Sequence, residues 1–113
     1  MVTVDDVRAL VETLPRAYEV VVRDRVKFRV GSLVFVAFSR DETTMGFGFP
    51  KEERAALVAA EPEKFAMPAE SDLRFHWVHA RMAALDEEEM RELVCAAWRV
   101  VVPKKVWRER FGE

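Results

Sequence analysis

Four basic side chains, Arg23, Arg25, Lys27 and Arg29, recur at every second position. On an extended strand, residues two apart share a face, so this spacing can line one side of a sheet with cations. Arg and Lys arranged in this way neutralise phosphates and release the counterions condensed on a nucleic acid. A two-stranded ribbon also fits a major groove. The plainer reading is the solvated side of a half-exposed sheet, and Asp24, placed in a turn, would break the stripe. A second basic group lies near the C-terminus: Arg99, Lys104, Lys105, Arg108 and Arg110, opposed by Glu109 and interleaved with Trp107 and Phe111. Aromatic rings among cations can stack on bases. Their ordinary alternative is that cations favour helix C-termini while the rings dock on the core.

Other chemistry-bearing residues lack the spacing their chemistry needs. His76 and His79 are three apart on an expected strand, which turns them to opposite faces and prevents both from meeting one metal ion. Cys95 is the single cysteine, so neither an internal disulfide nor a cysteine metal cluster can form. It lies mid-helix among apolar neighbours, as a small buried hydrophobe does, whereas a nucleophile needs a lowered pKa and a nearby base. Glu87, Glu88 and Glu89 fall in an expected first helical turn, where carboxylates are favoured. Gly46 and Gly48 lack the third glycine of a dinucleotide loop, and no Gly-Lys-Ser/Thr element follows. Neither a Gly-x-Ser-x-Gly elbow nor a His-Glu-x-x-His zinc motif occurs. The positive case for catalysis is therefore missing, no cofactor or metal site is indicated, and a non-enzymatic role is expected.

The 113-residue length fits one domain over 1–113. An apolar half is enough to build one core, which separates the chain from disordered sequences. The net charge of −2 is not that of a basic nucleic-acid binder, so any polyanion contact must be local. No basic start followed by an apolar run suggests a signal peptide, and no apolar stretch reaches the ~20 residues that span a bilayer. A cytosolic protein without a membrane partner is the expectation.

The elements that position these residues follow from periodicity. Thr3, with Asp6 three residues on, can form a capping box, and Val4, Val7, Leu10, Val11 and Leu14 recur at helical spacing. The first helix is expected over 4–14, stopped by Pro15. Residues 18–49 read as four strands. Val26, Phe28 and Val30 alternate with Lys27 and Arg29. Gly31-Ser32 suits a type II′ turn that sets Val30 opposite Leu33 and Phe28 opposite Phe35. Gly46 and Gly48 either weaken the fourth strand or let something approach it closely. Pro50 opens a second helix that ends before Pro62. A loop over 61–72 precedes a fifth strand, Leu73 to Met82. Asp86, with Glu89, caps a third helix, and Pro103 starts a short last one. The order α-β4-α-β-α-α implies an antiparallel sheet of about five strands with helices on one face, a two-layer α+β sandwich.

Phe28-Arg29-Val30-Gly31-Ser32-Leu33-Val34-Phe35 and Leu14-Pro15 resemble the "FRVGGKVF" hairpin and the end of the first helix of the MmcQ/YjbR family. Gly48-Phe49-Pro50-Lys51-Glu52-Glu53-Arg54 resembles its strand-to-helix junction, and Trp77-Val78 a family strand. Trp98-Arg99-Val100-Val101-Val102-Pro103-Lys104-Lys105 resembles the family's ending. The likeness runs from about Val4 to Lys105 and rests on the order and spacing of the segments together. It implies a fold like that of type III secretion chaperones, also called CyaY-like. It also implies DNA binding through a double wing of strands. Here Gly46-x-Gly48 replaces the lysine-bearing strand of many members, removing one potential phosphate contact.

The expected function is therefore DNA binding through Arg23, Arg25, Lys27, Arg29, Lys104, Lys105 and Arg108, by phosphate contact with little base readout. The rival is a protein-interaction or chaperone-like module using an apolar patch of Phe65, Met67, Trp107 and Phe111. A small-molecule pocket at the Gly46/Gly48 strand is the third possibility.

Overall fold

Thr3 and Asp6 start the first helix: the Thr3 hydroxyl accepts from the Asp6 N–H at 3.2 Å while the Asp6 carboxylate accepts from the Thr3 N–H at 2.9 Å. In the computed structural model, which describes residues 1–112, this helix is α1 (Val4–Val11). It is shorter than its apolar repeat because Pro15 disfavours helical backbone just before it. The Thr13 and Leu14 N–H groups instead donate to Leu10 and Val11 at 2.9 Å each, tightening the chain into turns. Leu14 stays in the core.

The strands are β1 (Ala17–Val22), β2 (Arg25–Val30), β3 (Leu33–Phe38), β4 (Thr44–Gly48), β5 (Phe65–Ala66) and β6 (Trp77–Arg81). They form a six-stranded antiparallel sheet in the order β1-β2-β3-β4-β6-β5. The β1–β2 connection is the pair Arg23-Asp24, both left-handed at φ 53° and 65°, the backbone a tight hairpin of this hand demands. Arg23 is therefore a turn residue and not part of a continuous stripe. Gly31 has φ +60° and Val30 pairs Leu33, as the Gly-first turn requires. Phe28 does not pair Phe35, however. Arg29 pairs Val34 and Phe28 pairs Val36, so Phe35 is the extra residue of a β-bulge. A bulge lets consecutive side chains share the buried side, and both Phe35 and Val36 are buried.

The remaining helices are α2 (Arg54–Ala60), α3 (Glu87–Val101) and α4 (Lys104–Phe111), with 3₁₀ turns at Glu70–Asp72 and Met82–Ala84. Asp86 caps α3 by accepting from the Glu89 N–H at 2.8 Å. The fifth expected strand begins at Trp77, not Leu73, because residues 70–76 turn out of the sheet, and the short β5 lies inside the expected 61–72 loop. Phe28, Val36, Phe38, Met45, Phe47 and Val78 carry the inner face of the sheet. They join Val7 and Leu10 of α1 and Met90, Val94 and Trp98 of α3 in one buried cluster. Each such side chain contributes roughly 1.5–3 kcal/mol through burial. Trp98 Nε1 donates to the Pro15 carbonyl at 3.0 Å, and Phe111 of α4 packs edge-on to its ring at 6.0 Å. Among the described residues no helix is long and apolar enough to cross a membrane.

Candidate ligand-binding face

The alternation of β2 divides its side chains. Phe28 and Val30 enter the core, so Lys27 and Arg29 stand on the face without helices, and Arg25 shares that parity. The pairing continues this face across the sheet. Lys27 sits opposite Ala37, Ala37 opposite Gly46, Gly46 opposite His79 and His79 opposite Ala66. One row thus runs from a cation over two small residues to an imidazole. The result is a groove of about 660 Å³ whose lining includes Arg25, Lys27, Gly46, Asp72, Trp77 and His79.

At its floor Gly46 has no side chain, and the Trp77 indole takes that space. A Cβ there would lie 2.5 Å from Trp77 Nε1 and 2.9 Å from two further indole atoms, so the ring rests against the Gly46 backbone. This is the close approach that the glycine allowed. Gly48 is different, since a Cβ there would make only ordinary contact with Ala97, at 3.7 Å.

The wall opposite β2 comes from residues 69–76 and is held by a side chain from another element. Arg54 is 6% exposed, and its guanidinium donates to the carbonyls of Phe75 at 2.8 Å, Trp77 at 3.1 Å and Leu73. A planar fork with several donors suits such a carbonyl cluster. Its Nε is buried without a partner. His76 Nδ1 accepts from the Lys51 N–H at 3.0 Å. Because His76 precedes β6, both histidines line the groove, which corrects the expectation of opposite faces. Burial holds His79 below the ordinary histidine pKa, with Arg25 acting in the same direction and Asp72 opposing. Its imidazole is therefore neutral at neutral pH. Among the described residues no group of three or more His, Cys, Asp or Glu is placed to hold a metal ion. Burial also raises the Cys95 thiol above its usual value, against the opposing Arg110, Arg91 and Arg99, which suppresses the thiolate a nucleophile needs.

The structure gathers only part of the expected basic set. Arg25 and Lys27 line the groove, and the Arg25 Nε donates to the Phe38 carbonyl at 3.2 Å. Arg29 lies further along the same face, beside Tyr18 and Val34, with its Nε buried and unpartnered. Arg23 is in the turn, where its carbonyl accepts from Arg40 Nε at 3.2 Å. Lys104, Lys105 and Arg108 belong to α4, which joins the core through Val106 in the helical layer, on the other side of the sheet. The nearby rings are already engaged: the Arg99 guanidinium lies 4.9 Å from the Trp107 ring and 4.5 Å from Phe111, and Arg108 is 5.8 Å from Trp107. The expected apolar patch does not assemble either. Phe65 is buried, Trp107 and Phe111 pack against the core, and Met67 alone of the four is well exposed.

Asp72, Phe75, Trp77, His79 and the Arg54 clasp did not emerge as a unit from the residue pattern. Gly46 was the one signal, a strand glycine that something could approach.

A six-stranded antiparallel sheet, helices on one face and a cation-lined groove on the other define a two-layer α+β domain. The YjbR family model matches residues 12–100, and the chain belongs to the YjbR family. The crystal structure of the Deinococcus radiodurans protein DR2400, with a DUF419 domain, is similar at a TM-score of 0.77 and 22% identity, covering 96% of this chain and 87% of that one. At that identity the likeness establishes the fold. No curated protein matches the chain.

Proposed function

We propose that this domain is a non-enzymatic DNA-binding protein whose contact surface is the helix-free face of the sheet. The observation that carries this reading is the placement of Arg25, Lys27 and Arg29 at alternate positions of β2, all on the face opposite the core. With a net charge of −2, the chain attracts a polyanion only where its cations gather, and this face supplies such a place. The α4 cations are a less suitable surface, since the aromatic rings among them already carry arginines. The suppressed thiolate of Cys95 and the occupied Nδ1 of His76 support binding over catalysis.

Titration of labelled DNA at several salt concentrations tests this. Three phosphate contacts predict a log–log salt slope near −2.7 on a duplex and near −2.1 on a single strand, so a fourfold rise in salt lowers affinity about 40-fold or about 18-fold. Replacing Arg25, Lys27 and Arg29 together by Ala flattens the slope and weakens binding to every sequence alike. Unchanged affinity of that variant would sink the assignment.

A second reading, a protein-interaction module, draws on another observation. An apolar groove of about 350 Å³ lies between Phe49, Pro50, Ala97 and Val100, and Val100 is 80% exposed. Binding there would be nearly independent of salt, which separates the two readings.

A further inference from the structure

We infer that the groove beside β2 receives one unpaired base, so that the domain holds single-stranded in preference to duplex DNA, with the base against Trp77 and the adjoining phosphates on Arg25 and Lys27. This rests on the proposed DNA reading of the same face and specifies the form of the ligand.

Shape is the first argument. A helix or β-ribbon that reads base edges of a duplex projects into its groove. This surface is concave: Ala37 and Gly46 contribute little or nothing above the floor, β2 stands on one side and residues 69–76 on the other. Its volume of about 660 Å³ lies in the range of pockets that enclose small planar ligands. Chemistry is the second. Trp77 is partly exposed and lines the groove, while the half-exposed Phe75 ring beside it already carries the Arg74 guanidinium at 4.7 Å, which leaves Trp77 as the stacking ring. Aromatic side chains bind successive bases of a single strand by stacking, whatever the base. Asp72 is the third. A surface built for phosphate alone gains nothing from a carboxylate facing its cations, because like charges repel. A carboxylate does accept from an exocyclic amino group of a base, and the neutral imidazole of His79 beside it offers one donor and one acceptor.

The test compares a labelled mixed-sequence single-stranded oligonucleotide, its duplex and a free mononucleotide, titrated into the full chain. The single strand is expected to bind at least about tenfold tighter than the duplex. Trp77→Leu, checked for folding by circular dichroism, is expected to cost the single strand at least about tenfold more affinity than it costs the duplex. Asp72→Ala, at a partly exposed position, provides a route independent of the core. The native chain should prefer oligo-dC or oligo-dA over oligo-dT, and this variant should lose the preference. A duplex that binds as well as the single strand, or a base preference untouched by Asp72→Ala, overturns the inference and leaves the DNA reading standing. A mononucleotide binding as tightly as the strand also overturns it, because the groove is then a small-molecule site. Failure of both DNA forms to bind removes the DNA reading and the inference with it.

Discussion

The Trp77 indole lies on the backbone of Gly46, across two neighbouring strands, at a distance that leaves no space for a Cβ. The ring is rigid, so Gly46→Ala must displace it or spread the strands. Overpacking of this kind costs about 1–3 kcal/mol. The variant is expected to show a lower urea midpoint, altered tryptophan emission and weaker binding of DNA. Native stability and unchanged emission would mean that the ring does not rest there.

Arg54 should matter for stability even though it is not proposed to touch ligand. Arg54→Met retains most of the apolar stem and removes the donors to the carbonyls of Leu73, Phe75 and Trp77. Leaving these part-buried acceptors without donors costs about 1–3 kcal/mol. Arg54→Lys should recover only a part, since an ammonium lacks the planar fork. Chemical denaturation measures the loss. Hydrogen exchange of residues 69–77 should rise more than that of β2 if the guanidinium clasps this segment.

Acid should destabilise the domain through His79 before its carboxylates titrate. Its folded pKa is lowered by burial, so the unfolded chain takes up the proton first, near the ordinary value of about 6.5. Stability is then full above that pH, falls as the pH drops through it, and levels off below the folded pKa. Thermal melts between about pH 7.5 and 5 should show the fall in the native chain and a smaller one in His79→Gln. Parallel profiles would contradict a half-buried, neutral imidazole.

The Arg23-Asp24 turn separates stability from binding. Both residues are left-handed, a conformation that costs side-chain-bearing residues roughly 1–2 kcal/mol each. The pair Arg23→Asn and Asp24→Gly, favoured in this turn, should raise stability by roughly 1 kcal/mol. DNA affinity should stay within about threefold, since the pair removes one positive and one negative charge away from the groove. A large loss of affinity would return Arg23 to the contact surface.

What the residue pattern revealed and what it concealed divide by range. Thr3 with Asp6, Asp86 with Glu89, and Gly31 between Val30 and Leu33 act over a few residues, and their elements formed as the pattern implied. The alternation around Phe28 placed Lys27 and Arg29 on one face for the same reason. The bulge at Phe35 was hidden because Leu33–Phe38 is a continuous apolar run, which does not reveal its register. The start of β6 was set too early because Leu73–His76 is drawn out of the sheet partly by Arg54, about twenty residues earlier. The groove itself depends on pairings between β2, β3, β4 and β6, which local spacing cannot express. Arg25 and Lys27 were legible as cations, but their facing Asp72, Trp77 and His79 were not.

The most direct measurement is a backbone NMR titration of the isotopically labelled chain with a single-stranded oligonucleotide. The account predicts that perturbed amides gather at residues 25–29, 44–46 and 77–79, on the helix-free face, and spare α4. Perturbations confined to Lys104–Phe111, or none at saturating DNA, would contradict it.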